Sequence, residues 1–120
     1  MFYCILCYNA ESELEAWSPE KAAAVLARRD LVTHRLALAG KLGSVGRFMP
    51  TTTAMTVRAS REPLVLDGPF AETKEQLLGF YVVDCGTLAE AITVARRMVC
   101  DTGALEVRPV ATFYPGIGLR

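Results

Sequence analysis

Histidine is nearly missing from this 120-residue sequence: His34 is the only one, and the four cysteines are scattered at Cys4, Cys7, Cys85 and Cys100. One imidazole and dispersed thiols make a poor zinc ligand set, and cysteines this sparse do not build a disulfide scaffold. Net charge is missing as well. Thirteen basic residues offset 13 acidic ones, so no bulk field draws the chain to nucleic acid or anionic lipid. Arg28, Arg29 and Arg35 are offset by Asp30, and Arg96-Arg97 stand alone, which leaves no basic patch for nucleic acid. The longest apolar run, Met1–Tyr8, is too short to span a bilayer. It also lacks the basic lead and small-residue cleavage site of a secretory signal, so the expectation is a cytoplasmic protein with no membrane partner. The stretch Gly40–Gly46 lacks phosphate-loop or dinucleotide spacing, and no G-x-S-x-G elbow occurs. The expectation therefore includes no cofactor and no metal.

Apolar residues are in surplus. They make up 52% of the chain, and exchanging 4 tyrosines for 9 glycines raises the figure to about 56%, against roughly 45–50% for ordinary domains. With no net charge, this composition excludes disorder. The length suits a single domain, residues 1–120, with a real core. A small monomer has little use for such a surplus, whereas an oligomer has.

The patterning locates it. MFYCILCY at the start and GFYVVDC at Gly79–Cys85 read as strands apolar on both faces, hence central in a sheet covered on both sides. Within the first strand, Cys4 and Cys7 point to opposite faces, so their C-x-x-C spacing cannot chelate one ion and they read as small hydrophobes. Asn9–Trp17 reads as an acidic loop. Ser18-Pro19 opens a helix from Pro19 to about Ala39, whose stripe is Ala22, Val25, Leu26, Val32, Leu36 and Ala39, widened by Ala23, Ala27, Leu31 and Leu38. Gly40 closes it. Lys41–Pro50 reads as irregular or a short strand. Thr51–Arg58 and Pro63–Leu66 read as a hairpin, closed by the Asp67-Gly68-Pro69 turn. Ala71–Leu78 is polar and helix-tolerant. Thr87 with Glu90 forms a capping box ahead of a second helix with the stripe Leu88, Ala91, Ile92, Ala95, Met98 and Val99. Ala104–Val110 is a last strand, and Tyr114–Arg120 a loose tail or one lying on a partner. Two helices and four or five strands predict an α+β sandwich of the ferredoxin-like kind. Two helices cover one face of its antiparallel sheet, and a second copy of the sheet is the simplest cover for the other, giving a homodimer through sheet faces.

The segment Asp67–Tyr81, DGPFAETKEQLLGFY, resembles the signature of the DGPF subfamily of YCII-related proteins. Glu106–Val110, the Ser18-Pro19 helix start and Gly40 fit the same pattern, so the resemblance spans nearly the whole chain. It implies a ferredoxin-like fold assembled as a dimeric α+β barrel. It also implies a cleft beside the sheet where a His–Asp pair has been proposed for catalysis in the wider superfamily. The DGPF group has no settled activity, and its members often sit near genes for extracytoplasmic-function sigma factors.

Asp67 is the acidic member of that implied pair. A carboxylate at a strand end can serve as general acid or base, or it can fix the turn by accepting backbone N–H bonds. The family's histidine falls at Arg29, and His34 lies about 140° further round the helix, where it reads as a solvated residue with Asp30 nearby. Arg29 suits a carboxylate or phosphate, or a salt bridge to Asp67. Gly68 reads as a residue in a conformation that side chains disfavour, Phe70 as a buried anchor of the loop, and Thr73 and Lys74 as pocket-lining candidates. Tyr3, Tyr8 and Tyr81 read as core residues that could also line a cleft. Three functions follow: a dimer binding a small ligand, anionic in one form, through Arg29, Asp67, Gly68, Thr73 and Lys74; an enzyme using Asp67 as general acid or base; or an adaptor of a sigma factor.

Overall fold

The computed structural model describes residues 1–116. Strand β1 (Phe2–Asn9) leads through a short helix α1 (Glu11–Glu15) into the long helix α2 (Pro19–Leu38), and strand β2 (Leu42–Arg47) follows. A single 3-10 turn, Thr51–Thr53, precedes strands β3 (Met55–Arg58) and β4 (Leu64–Asp67). Strand β5 (Gln76–Asp84), helix α3 (Leu88–Met98) and strand β6 (Ala104–Pro109) complete the fold. The main sheet is antiparallel in the order β2-β5-β1-β6, and β3-β4 form a separate two-stranded ribbon. The architecture is α+β, with the helices on one face of an antiparallel sheet.

The two strands expected to be central are central. β1 alternates half-buried and buried residues along its whole length, as the strand period requires. Tyr3, Ile5 and Cys7 face the helices, where Ile5 and Val83 are fully excluded from solvent. Ala91, Val94, Ala95 and Met98 of α3 close over them, with Val32 and Leu36 of α2. Phe2, Cys4, Leu6 and Tyr8 fall on the other face and are only half-buried. The register puts Phe80 and Val82 of β5 beside Leu6 and Cys4 there. Phe113 packs its ring 4.5 Å from that of Phe2, and Phe48 lies 6.0 Å from Phe80. Among the described residues no helix covers this face.

The caps form as the sequence dictates. Ser18 Oγ accepts from Lys21 N at 3.1 Å with Pro19 at the first helical position. Thr87 Oγ1 accepts from Glu90 N at 3.2 Å, while the Glu90 carboxylate reaches Gly86 N at 3.0 Å and Lys41 Nζ at 2.6 Å. That pairing lowers the Glu90 carboxyl below its ordinary range, through the Lys41 hydrogen bond first and the Gly86 N–H second.

Several expectations need correcting. The α2 stripe is narrower than its spacing implies. Only Val32 and Leu36 are buried, while Leu26, Leu31 and Leu38 are exposed, because the two helices divide the face, α3 lying against β1 and β6 and α2 against β2. Asn9–Trp17 contains α1 rather than only loop. The Thr51–Arg58 segment splits into the 3-10 turn and β3. The polar Ala71–Leu78 stretch forms no helix: Thr73 Oγ1 and Gln76 Nε2 bond the nearby carbonyls of Glu75 and Thr73, and Gln76 already pairs with Asn9 as the first residue of β5. Phe70 is not a buried anchor; it is 78% exposed. The expected tail Tyr114–Arg120 extends beyond the described residues.

Two glycines separate turn chemistry from packing. Gly103 has φ +78°, and a Cβ there would overlap the carbonyl oxygen of Tyr8 and the Asn9 side chain. Gly68 has φ +88° with open space around it. Gly68→Ala therefore carries only the left-handed penalty, about 1–2 kcal/mol, whereas Gly103→Ala adds steric overlap and costs about 3 kcal/mol or more. Urea denaturation of the two variants side by side should show that order.

Candidate functional site

Asp67 ends β4 opposite Met55. The turn beyond it is fixed without its carboxylate: Gly68 N donates to Ala54 O at 2.7 Å, and Thr56 Oγ1 donates to Gly68 O at 2.7 Å. Among the described residues the Asp67 carboxylate takes part in no hydrogen bond and no ion pair. The ion pairs there are Met1–Asp84, Lys21–Asp101 and Lys41–Glu90. The turn-fixing role open to Asp67 is thus taken by backbone and by Thr56, which leaves the carboxylate available.

The ribbon that carries Asp67 is unusual in composition. Residues directly opposite in an antiparallel pair share a face. Met55, Val57, Val65 and Asp67 therefore lie on one side, and Thr56, Arg58, Leu64 and Leu66 on the other. Met55, Val57, Leu64, Val65 and Leu66 are all exposed. Neither strand makes substantial contact with any other element.

Arg29 has a different occupation. Its Nε donates to Met98 O at 3.2 Å, and Arg28 Nε donates to Arg97 O at 2.8 Å. The two arginines of α2 satisfy the last carbonyls of α3, where a cation also complements the helix dipole. Arg29 and Asp67 form no salt bridge within one chain. His34 is exposed on α2, beside a shallow groove shared with Asp30 and Leu31. Thr73 and Lys74 are exposed in the loop before β5. Tyr3 is buried in the core and Tyr81 packs against it, while Tyr8 Oη donates to Glu106 at 3.4 Å on the uncovered face.

The cysteines behave as small hydrophobes. Burial pushes the Cys7 thiol up, against a smaller opposing pull from Arg29, and burial raises Cys4 against a pull from Arg108. Neither thiol is activated. Among the described residues no group of three or more metal-ligating side chains gathers. None of their helices is long and apolar enough to cross a membrane.

Sequence reasoning missed the node at the base of the ribbon. The Glu11 carboxylate accepts from Thr51 N at 3.0 Å and from Thr51 Oγ1, and Glu11 N donates to Gln76 Oε1 at 2.9 Å. These three residues come from separate parts of the chain, so no local spacing announces them. The better-formed concavities among the described residues, one beside Phe2 and Lys41 and one along α2, lie away from Asp67.

The different occupations of Arg29 and Asp67 give opposite expectations for folding. Arg29→Ala removes a charged donor from helix-end carbonyls and should lower stability by about 1–2 kcal/mol. Asp67→Asn touches nothing in the single chain and should stay within about 0.5 kcal/mol. Denaturant midpoints of the two variants in dilute solution check this.

Comparison with known proteins places the chain. The YCII-related domain matches residues 1–114. An uncharacterized protein of Rhizobium meliloti (strain 1021) is 51% identical over 120 residues, covering 97% of each chain. The chain belongs to the family of YCII-related domain proteins.

Proposed function

We propose that the protein is a homodimer of the DGPF group, joined through the uncovered sheet faces, that binds a small polar ligand beside Asp67. The observation that carries the ligand reading is the Asp67 carboxylate itself, exposed and unbonded on the apolar side of the β3-β4 ribbon. It offers acceptors to a ligand's hydrogen-bond donors. Lys74 nearby in sequence, and the terminal nitrogens of Arg29, suit an anionic group on the same ligand.

Surface area supports the dimer. The chain exposes 8690 Å², whereas a compact monomer of 13.1 kDa should expose about 6,400 Å². The excess is on the order of 2,000 Å², which is the scale an obligate homodimer removes from each chain. The main-sheet order, with one helix after β1 and another after β5, suits a ferredoxin-like sandwich with the β3-β4 ribbon inserted between its second and third strands. Two such sheets face to face make a dimeric α+β barrel. The free carboxylate also favours a second reading, in which Asp67 acts as general acid or base on the bound molecule.

Two measurements test these readings. Sedimentation at micromolar concentration should give a dimer. Leu6→Lys, which places a charge at the centre of the uncovered face, should weaken that dimer at least tenfold; a wild-type monomer refutes it. Thermal-shift screening against small polar metabolites should find a ligand that raises Tm by on the order of 5 °C at saturation. Asp67→Asn should abolish that shift, and a shift unaltered by the substitution sinks the assigned site.

A further inference from the structure

We propose that the β3-β4 ribbon is an arm that clasps the partner chain of the homodimer, so that Asp67 and Phe70 of one chain complete a ligand cleft whose remaining walls belong to the other. This rests on the dimer reading and goes beyond sheet-to-sheet contact.

The arm cannot be explained within one chain. A two-stranded ribbon on its own is marginal in water, and this one shows apolar side chains on both faces, with Met55, Val57, Leu64 and Val65 each more than half exposed. The molecule is also extended. The radius of gyration is 16.0 Å, against about 13.6 Å for a compact domain of this length. Exposed apolar ribbon edges invite pairing with another chain.

The second copy is the occupant because one chain carries both halves of the fit. Among the described residues it has an arm that makes no substantial contact with another element and a sheet face that no helix covers, and a two-fold axis brings each to the other. The area in excess of a compact monomer is what a stable homodimer buries. Charge agrees. The chain has no net charge to oppose self-association. Asp67 on the arm has no cation, and Arg108, beside Cys4 on the uncovered face, has no carboxylate among the described residues.

The arm's register makes the site composite. Asp67 shares its face with Met55, Val57 and Val65, so docking those residues also removes Asp67 from water. A buried carboxylate needs a partner, which in this arrangement is a donor of the opposite chain or of the ligand. Phe70, three residues on and exposed, is carried across with it. In this arrangement half of the wall around Asp67 comes from the other chain, and the concavities beside Phe2 and along α2 are separate from it.

The test uses the full chain. A photocrosslinking phenylalanine analogue replaces Phe70 in a dimer reconstituted from nitrogen-14 and nitrogen-15 chains. The expected products are mixed-isotope crosslinks reaching residues of the partner's uncovered sheet face. In parallel, the double substitution Val57→Lys, Val65→Lys should raise the dimer dissociation constant at least tenfold. The melting of the helix-covered core should not change, because neither side chain touches it. Same-chain crosslinks alone, or none, in a protein that still sediments as a dimer overturn the arm while leaving the dimer intact. An unchanged dissociation constant in the folded double variant does the same. A wild-type monomer overturns both. Should the double variant fail to fold, the crosslinks alone decide.

Discussion

The helices of this protein cover only one face of a sheet whose central strands are apolar on both, and most of its structure follows from that imbalance. Ile5 and Val83 sit in full burial under α3 because the alternation of β1 and β5 aims them there. The same alternation sends Phe2, Cys4, Leu6, Phe80 and Val82 the other way. A strand cannot turn its apolar residues to one side without losing register with its neighbours. Phe113 and Phe48 patch the second face at its margins. The hydrophobic effect scales with area, so two rings cannot do what a helical layer does on the opposite side.

The β3-β4 ribbon has the same deficit in a different form. Its main-chain hydrogen bonds are satisfied within the ribbon, and its base is held by Gly68 N to Ala54 O and by Glu11 to Thr51. What it lacks is a surface for its side chains. An anchored base with an unpartnered body defines a lever: the sequence Asp67–Phe70 sits where the ribbon rejoins the domain, so its position depends on where the ribbon lies. A site built there inherits its geometry from whatever holds the ribbon.

Much of the fold was legible because it rests on local signals. Ser18-Pro19, Gly40 and Thr87 set helix ends through short-range hydrogen bonds and φ preferences, and their spacing is visible in any window of the chain. The run MFYCILCY, apolar on both faces, identifies a central strand, and the strand period places Cys4 and Cys7 on opposite faces. A periodic reading makes the α2 stripe too wide because Leu31 and Leu38 look like core residues, while the way α2 and α3 divide the sheet decides which helix residues meet it. Phe70 was misread for a similar reason. An aromatic residue after a tight turn is normally buried, and here none of the described residues buries it. The Glu11–Thr51–Gln76 node lay beyond local reading altogether, since tertiary pairing alone brings those residues together.

The candidate site shows the same division between what is fixed locally and what is not. Arg29 stands where the family resemblance led to the expectation of a histidine. Its Nε donates to the carbonyl of Met98, so α2 uses that position to hold α3. A structural contact therefore occupies the position where the resemblance implied an imidazole, and in the proposed reading the ligand-facing group is Asp67. In the proposed dimer that carboxylate lies between chains, with a consequence for energetics. A ligand that binds the assembled cleft and not the separate chain stabilises the dimer by mass action, by about 2.7 kcal/mol at a hundredfold excess over its dissociation constant. Occupancy and assembly are then linked in both directions. In that arrangement ligand occupancy would be read out as association of the two chains.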